Sequence, residues 1–197
     1  MKFLTDLAMD TLREPQATAQ RIMDWQIDRT TLYMALIAVC AVTAFIVGGM
    51  AALGPEPDPA LVEAVPAISL LSRPLALFVL TAGGLIVMVH ALYWAGKAMG
   101  GEGDLSDLLV LLVWLQTLRV AAQLAVLVVG LAVPVIGNLL ALVVMVAAFW
   151  LMLHFISAAL RFGSLLRAFG LLITVSAGLL LGLMLLITLL GLTAGGI

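Results

Sequence analysis

Three polar residues recur at one-turn intervals inside a long apolar stretch of the chain. Gln116, Arg119 and Gln123 are spaced so that a helix places their side chains on one face. An arginine at the centre of a membrane helix costs about 2.5–3.5 kcal/mol, and such a residue is a functional candidate by default. No Asp or Glu lies inside an apolar stretch, so no intramembrane carboxylate is available as its partner. The stripe indicates a contact with an anion or a lipid phosphate, a polar conduit, or an arginine that snorkels and packs against carbonyls and glutamines.

Two histidines, His90 and His154, lie near the ends of two other apolar stretches and could reach the same interfacial layer. Zinc sites take three or four ligands, and neither histidine has a carboxylate or thiolate nearby. The sequence also lacks an HExxH motif and a serine or cysteine nucleophile motif. We predict structural or interfacial histidines, no metal, no cofactor and no enzyme activity. An intramembrane enzyme that uses this histidine pair is the alternative.

Gly178 and Gly182 form a GxxxG pair in the last apolar stretch, one turn after Thr174. Small residues at this spacing let two helices approach closely. The pair predicts helix packing, either inside the bundle, which we favour, or between two copies of the chain.

The amino-acid composition indicates the class of protein in which these residues occur. The chain has 197 residues, of which 64% are apolar and 10% charged, with a formal net charge of −2. The mean hydropathy is +1.26. Too few charged residues are present to cover a water-facing surface, which excludes a soluble enzyme, a disordered chain and a nucleic-acid binder. The single cysteine, Cys40, excludes an intrachain disulfide.

Five apolar stretches are each near the roughly 20 residues that cross a bilayer. They predict an all-α polytopic membrane protein, a five-helix transmembrane bundle in one domain over residues 31–197. The preceding residues, 1–30, are polar and mixed in charge, and we expect an amphipathic arm of two short helices with Pro15 in the first turn of the second. Such an arm lies on the membrane or against the bundle, or else it is a solvated tail. The predicted spans are 32–53, 74–95, 108–131, 135–158 and 169–190.

The distribution of Lys and Arg predicts the orientation of the bundle. Seven of these cations fall on the side of the N-terminus and only Arg73 on the other, while Arg119 lies within the membrane. This bias places the N-terminus in the cytoplasm and the C-terminus in the periplasm. An Arg-rich, Ala-, Leu- and Val-rich composition favours a GC-rich bacterium, and hence its inner membrane. The cations on the N-terminal side are Lys2, Arg13, Arg21, Arg29, Lys97, Arg161 and Arg167.

Four segments resemble the bacterial branch of the Yip domain family, which is named for interaction with Ypt/Rab GTPases. The pre-membrane arm carries Pro15 and Ile22, and a glycine-rich loop leads into the third span. A tight proline–glycine hairpin precedes a tryptophan-bearing fourth span, and a short basic turn precedes the fifth. The residues that carry the three latter matches are Gly100, Gly101, Gly103, Leu108, Leu109, Pro134, Gly137, Trp150, Arg167 and Ala168.

The resemblance implies a five-span bundle with a cytoplasmic N-terminus and provides no catalytic residues. Eukaryotic relatives act in vesicle trafficking, bind prenylated Rab-type GTPases and shape membranes, and a bacterium lacks that machinery. We therefore expect a non-enzymatic membrane scaffold or partner-binding protein. Its expected partners are membrane lipids and another membrane protein or a second copy of the chain, without nucleic acid. The alternative is a small transporter or channel for an anion or lipid that uses the stripe of the third span.

Overall fold

The computed structural model describes residues 2–53 and 73–194, and within these ranges every regular element is a helix. Five of the helices are long and apolar enough to cross a membrane. The prediction of an all-α, five-span bundle with two short arm helices is therefore confirmed. The helices are α1 (Lys2–Arg13), α2 (Pro15–Met23), α3 (Arg29–Leu53), α4 (Pro74–Ala98), α5 (Leu105–Ala132), α6 (Pro134–Ala159) and α7 (Leu165–Ala194).

The observed helices extend beyond several predicted spans because local caps set their ends. α5 begins at Leu105, three residues before the predicted span, since the Asp104 N–H donates to the Asp107 carboxylate across the first turn (3.4 Å). α3 begins at Arg29, directly after Asp28, whose carboxylate accepts the N–H of Thr31 (3.0 Å). A carboxylate at this position satisfies helix N–H groups that otherwise lack partners.

The five long helices pack around α5. α5 lies against α3, α4 and α6, and α7 packs on α4 and α6. The bundle has two ends. The arm end is where α1, α2, residues 99–104 and residues 160–164 meet, and the far end lies opposite to it. Most fully buried side chains lie toward the arm end, among them Leu92, Leu109, Ile156, Leu160 and Leu171.

The far end presents apolar side chains outward. Leu131 is 80% exposed, Leu185 is 70% exposed, and Val135 is 69% exposed. In a bilayer such surfaces face lipid tails, which are as apolar as the side chains themselves. The tightly packed half of the bundle is therefore the half next to the arm.

The arm is folded against the bundle. Leu7 and Thr11 of α1 and Ala19 and Ile22 of α2 are buried. α2 packs on both α5 and α6, and Pro15 begins α2 as predicted. The sequence predicts an arm on the membrane, against the bundle or in solvent, and in the structure it packs against the bundle.

Glycines allow close backbone contacts at two places in the fold. A Cβ at Gly103 would overlap the carbonyl oxygen of Ala159, and the neighbouring Glu102 N–H donates to the Leu160 carbonyl (3.1 Å). At the far end, a Cβ at Gly137 would overlap the Cα of Gly130. These contacts join the α4–α5 loop to the end of α6 and close the α5–α6 hairpin.

Candidate functional site

The polar stripe of α5 lies along a cavity that is open to the surface of the bundle, where Arg119 is exposed. Gln116, Arg119 and Gln123 all line this cavity of about 580 Å³. The lining residues of α5 run from Leu112 to Leu127, which corresponds to about 22 Å along the helix at 1.5 Å per residue. The rest of the lining is apolar and comes from α3, α4 and α6: Met50, Leu85, Met88, Ala141, Val144, Met145, Ala148, Phe149 and Met152.

Arg119 has neither a hydrogen-bond acceptor nor an ion-pair partner among the described residues. It lies between the large cavity and a second one of about 260 Å³, bounded by α3, α4 and α5, and Gln116 lines both. The hydroxyls of Thr43 and Thr81, which border the second cavity, donate to carbonyls of their own helices. The structure therefore places the three stripe residues along one cavity, with Arg119 exposed and without a partner among the described residues.

His90 belongs to a contact between α3 and α4. Its Nδ1 lies 2.7 Å from the Ile86 carbonyl oxygen, so this nitrogen must carry the proton that is donated. Its Nε2 lies 3.1 Å from the Tyr33 hydroxyl and accepts its hydrogen bond, and the two rings are stacked with an angle of 11° between their planes. Both nitrogens are thereby occupied by a structural contact.

His154 lies in a different environment, on α6 beside the start of α2. Its Nδ1 donates to the Trp150 carbonyl (2.9 Å), and its ring lies 4.4 Å from the Trp150 ring. Pro15 and Gln16 border the same groove. Within the described residues no group of three or more His, Cys, Asp or Glu side chains could hold a metal ion. The two histidines thus have separate partners, one between spans and one beneath the arm.

Gly178 and Gly182 lie on the outer surface of α7. A Cβ at either glycine would meet no described atom within 4 Å. Thr174, one turn earlier, donates its hydroxyl to the Gly170 carbonyl and also points outward. Among the described residues these glycines pack against no other helix, so a contact between two copies at this face stays a prediction.

The arm end is held together by polar contacts that sequence spacing could not reveal. The Trp114 indole N–H donates to the Thr11 hydroxyl (3.0 Å), and this hydroxyl donates to the Leu7 carbonyl (2.7 Å). The Arg29 guanidinium donates to the Ser106 hydroxyl (3.0 Å). Buried tryptophans usually have a partner for their N–H group, and this tendency is the one sequence signal for the Trp114 contact.

In the turn before α3, hydrogen bonds lower the pKa of the Asp28 carboxylate. The Thr31 hydroxyl donates to the Asp28 carboxylate at 2.6 Å, and this bond, with the backbone N–H of Thr31, lowers the pKa of Asp28 below its usual value of 3.8. Both bonds favour the charged carboxylate. At neutral pH the α2–α3 turn is therefore fixed by an ionised cap.

A comparison with known protein families gives a direct result. The family model for the Yip1 domain matches residues 9–187. This chain belongs to the Yip1 domain family. The matched range begins within α1 and ends within α7, so it includes the end of α1, all of α2, the Arg119 cavity and both histidines.

Membership confirms the family resemblance of the four sequence segments. Yip1 domain proteins are membrane proteins that interact with other proteins and with lipids, and the family is one of non-enzymatic proteins. Comparisons with curated proteins and with solved structures return no match.

Proposed function

We propose that this Yip1 domain protein is a non-enzymatic scaffold of the bacterial inner membrane that binds another membrane protein through its arm end. One observation carries the proposal: distant segments of the chain are joined there into a single surface. Thr11 bonds to Trp114, Arg29 bonds to Ser106, and Glu102 bonds to Leu160. A surface that is already ordered loses less conformational entropy when a partner binds.

The arm end exposes groups that are suited to a protein interface. The rings of Phe3 and Trp25 lie 6.3 Å apart and are 57% and 41% exposed. Also in the arm, Arg21 pairs with Asp10 at 3.2 Å, and both side chains are exposed. Aromatic and arginine side chains are the residue types that most often dominate binding energy at interfaces. The partner surface is therefore proposed to centre on Phe3 and Trp25.

We infer an orientation with this end in the cytoplasm. The arm and the adjoining turns collect Arg13, Arg21, Arg29, Lys97 and Arg161, whereas Arg73 immediately precedes α4 at the far end. Cytoplasmic loops of membrane proteins carry the excess of Lys and Arg. Seven Arg against two Lys supports the bacterial assignment on composition alone.

Site-directed photo-crosslinking in intact cells tests the partner surface. A photoreactive amino acid replaces Trp25 in one variant and Phe45 in a matched control, since Phe45 is an exposed aromatic on the membrane helix α3. We expect one stoichiometric protein adduct at position 25 and none of the same mass at position 45. Mass spectrometry then distinguishes a different protein from a second copy of this chain. Identical adducts at both positions, or lipid alone at position 25, would contradict the proposal.

Cysteine labelling tests the orientation. In a Cys40→Ala background, Gln20→Cys places a thiol on the exposed face of α2, and Val133→Cys places one at the far end. A membrane-impermeant maleimide applied to spheroplasts is expected to label the Val133→Cys variant at once and the Gln20→Cys variant only after lysis. The reverse pattern would show that the arm is periplasmic.

A further inference from the structure

The docked arm marks where the polar region of the membrane ends. Thr11 bonds to Trp114, which lies nine residues into α5 and so about 14 Å from its first residue. The same helix α1 carries the charged residues Asp10 and Arg13, which cannot lie in hydrocarbon without a large free-energy cost. From Trp114 to Ala132, α5 extends about 27 Å, close to the roughly 30 Å of a hydrocarbon core. The hydrocarbon boundary on the arm side thus lies near Trp114, deeper along α5 than residue 108.

Arg119 is then close to the lipid headgroups. It follows Trp114 by five residues, which places its Cα about 7.5 Å inside the boundary. A long arginine stem can span much of that depth, with its charged end directed toward the polar layer. In the described structure the guanidinium has no acidic partner, while Gln116 beside it offers a further amide donor. An anionic group at this position would supply the missing counter-charge.

The cavity continues from Arg119 toward the far end as an apolar groove. Beyond Gln123, its wall is formed by Val126 and Leu127 of α5, opposite Ala141 and Val144 of α6. No described residue of α7 lines it, and the described residues in the second half of α7 are largely exposed, including Leu181 and Met184. Acyl chains in the bilayer can therefore reach this part of the cavity from the side.

We propose that the Arg119 cavity binds one anionic glycerophospholipid from the arm-side leaflet. Arg119 and Gln116 hold the phosphate, because guanidinium–phosphate hydrogen bonds are charge-assisted and strong. Gln123, one turn deeper, donates to an ester carbonyl, since the ester groups lie between the phosphate and the acyl chains. One acyl chain follows the apolar wall past Val126. This lipid site is separate from the proposed partner surface at Phe3 and Trp25, and either can be wrong without the other.

Lipid binding to the purified full chain in an uncharged detergent tests the site. Native mass spectrometry measures the affinity for phosphatidylglycerol, with phosphatidylcholine of identical chains as the comparison. We expect preferential binding of one phosphatidylglycerol and a loss of about tenfold or more in the Arg119→Gln variant. Arg119→Lys keeps the charge without the bidentate geometry and is expected to fall between them.

Two further variants test whether the shape of the cavity matters and whether loss of any exposed cation would weaken lipid binding. Ala141→Phe places a bulky side chain in the apolar groove while Arg119 stays in place, and it is expected to weaken phosphatidylglycerol binding as well. Arg167→Gln removes an exposed cation from the start of α7 and is expected to leave binding unchanged. Thermal unfolding of each variant without lipid verifies that the fold is retained.

Three results would overturn the proposal. Equal affinity for the two phospholipids would show that the headgroup charge is not recognised. Unchanged binding in the Arg119→Gln variant would place the lipid elsewhere. Inorganic phosphate that binds as tightly as phosphatidylglycerol would identify a site for a free anion rather than for a lipid.

Discussion

Thr11 and Trp114 are 103 residues apart in the chain and share a buried hydrogen bond of 3.0 Å. The bond joins α1 to the side of α5 at Trp114, nine residues after the first residue of that helix. Together with the packing of α2 on α5 and α6, it holds the arm against the membrane-spanning bundle. The Thr11 hydroxyl also donates to Leu7, so a single buried side chain has both of its hydrogen-bonding roles satisfied.

Removing this hydroxyl should destabilise the docked arm. In Thr11→Val the indole N–H of Trp114 stays buried without an acceptor, which costs about 1–3 kcal/mol. Thermal unfolding in detergent should show a lower midpoint, and limited proteolysis should cleave the arm faster. In the double variant with Trp114→Phe the loss should be smaller than the sum of the single losses, because both partners are then absent. Strict additivity would mean that the bond contributes nothing.

Two Gly→Ala substitutions should have opposite effects. In Gly103→Ala the new methyl group collides with the backbone carbonyl of Ala159, and rigid backbone cannot give way easily. We expect a loss of about 1–3 kcal/mol in the free energy of unfolding. Gly178→Ala, in an open position on α7, should be neutral or stabilising by up to about 1 kcal/mol, because alanine favours helix.

The Gly178→Ala variant also tests the outer face of α7. The oligomeric state of Gly178→Ala is measured beside its stability, with wild type as reference. If this variant dissociates a wild-type dimer, a second copy covers the GxxxG face. If wild type and variant are equally monomeric, that face contacts lipid.

The hydrogen bond between Tyr33 and His90 should be structural. Tyr33→Phe removes the donor to Nε2 while the ring stack remains possible, and we expect a loss of about 0.5–1.5 kcal/mol. His90→Gln should have a similar effect on the melting temperature. His154→Gln serves as the comparison and should affect the α2–α6 contact instead. A melting temperature unchanged in Tyr33→Phe would show that this contact does not stabilise the bundle.

Stability should depend on pH through Asp28. Its folded pKa is lowered by the Thr31 hydrogen bonds, so the contribution of the cap is present above the unfolded value of about 3.8 and is lost as pH falls through the folded pKa. Thermal unfolding of wild type and Asp28→Asn between pH 3 and pH 6 measures this. Their melting temperatures should differ most at the upper end of the range and converge toward its lower end. A constant difference across the range would exclude titration of Asp28 as the cause.

The sequence by itself determined the elements of this protein. Runs of about 20 apolar residues have few ways to satisfy their backbone in lipid other than as helices, so five spans could be read directly. Pro15 and the Pro134–Gly137 hairpin act within one or two turns, and local chemistry of that range is visible in a sequence. The one-face placement of Gln116, Arg119 and Gln123 likewise follows from helical periodicity alone.

Only the tertiary structure decided what those elements face. Helix rotation and docking depend on packing between distant segments, so no spacing rule joins Thr11 to Trp114 or Tyr33 to His90. The same holds for Gly178 and Gly182, whose motif permits close packing without requiring it, and which the fold leaves on the outside. The cavity around Arg119 forms because α3, α4 and α6 pack against α5 at particular rotations about their axes. No local sequence pattern specifies these rotations.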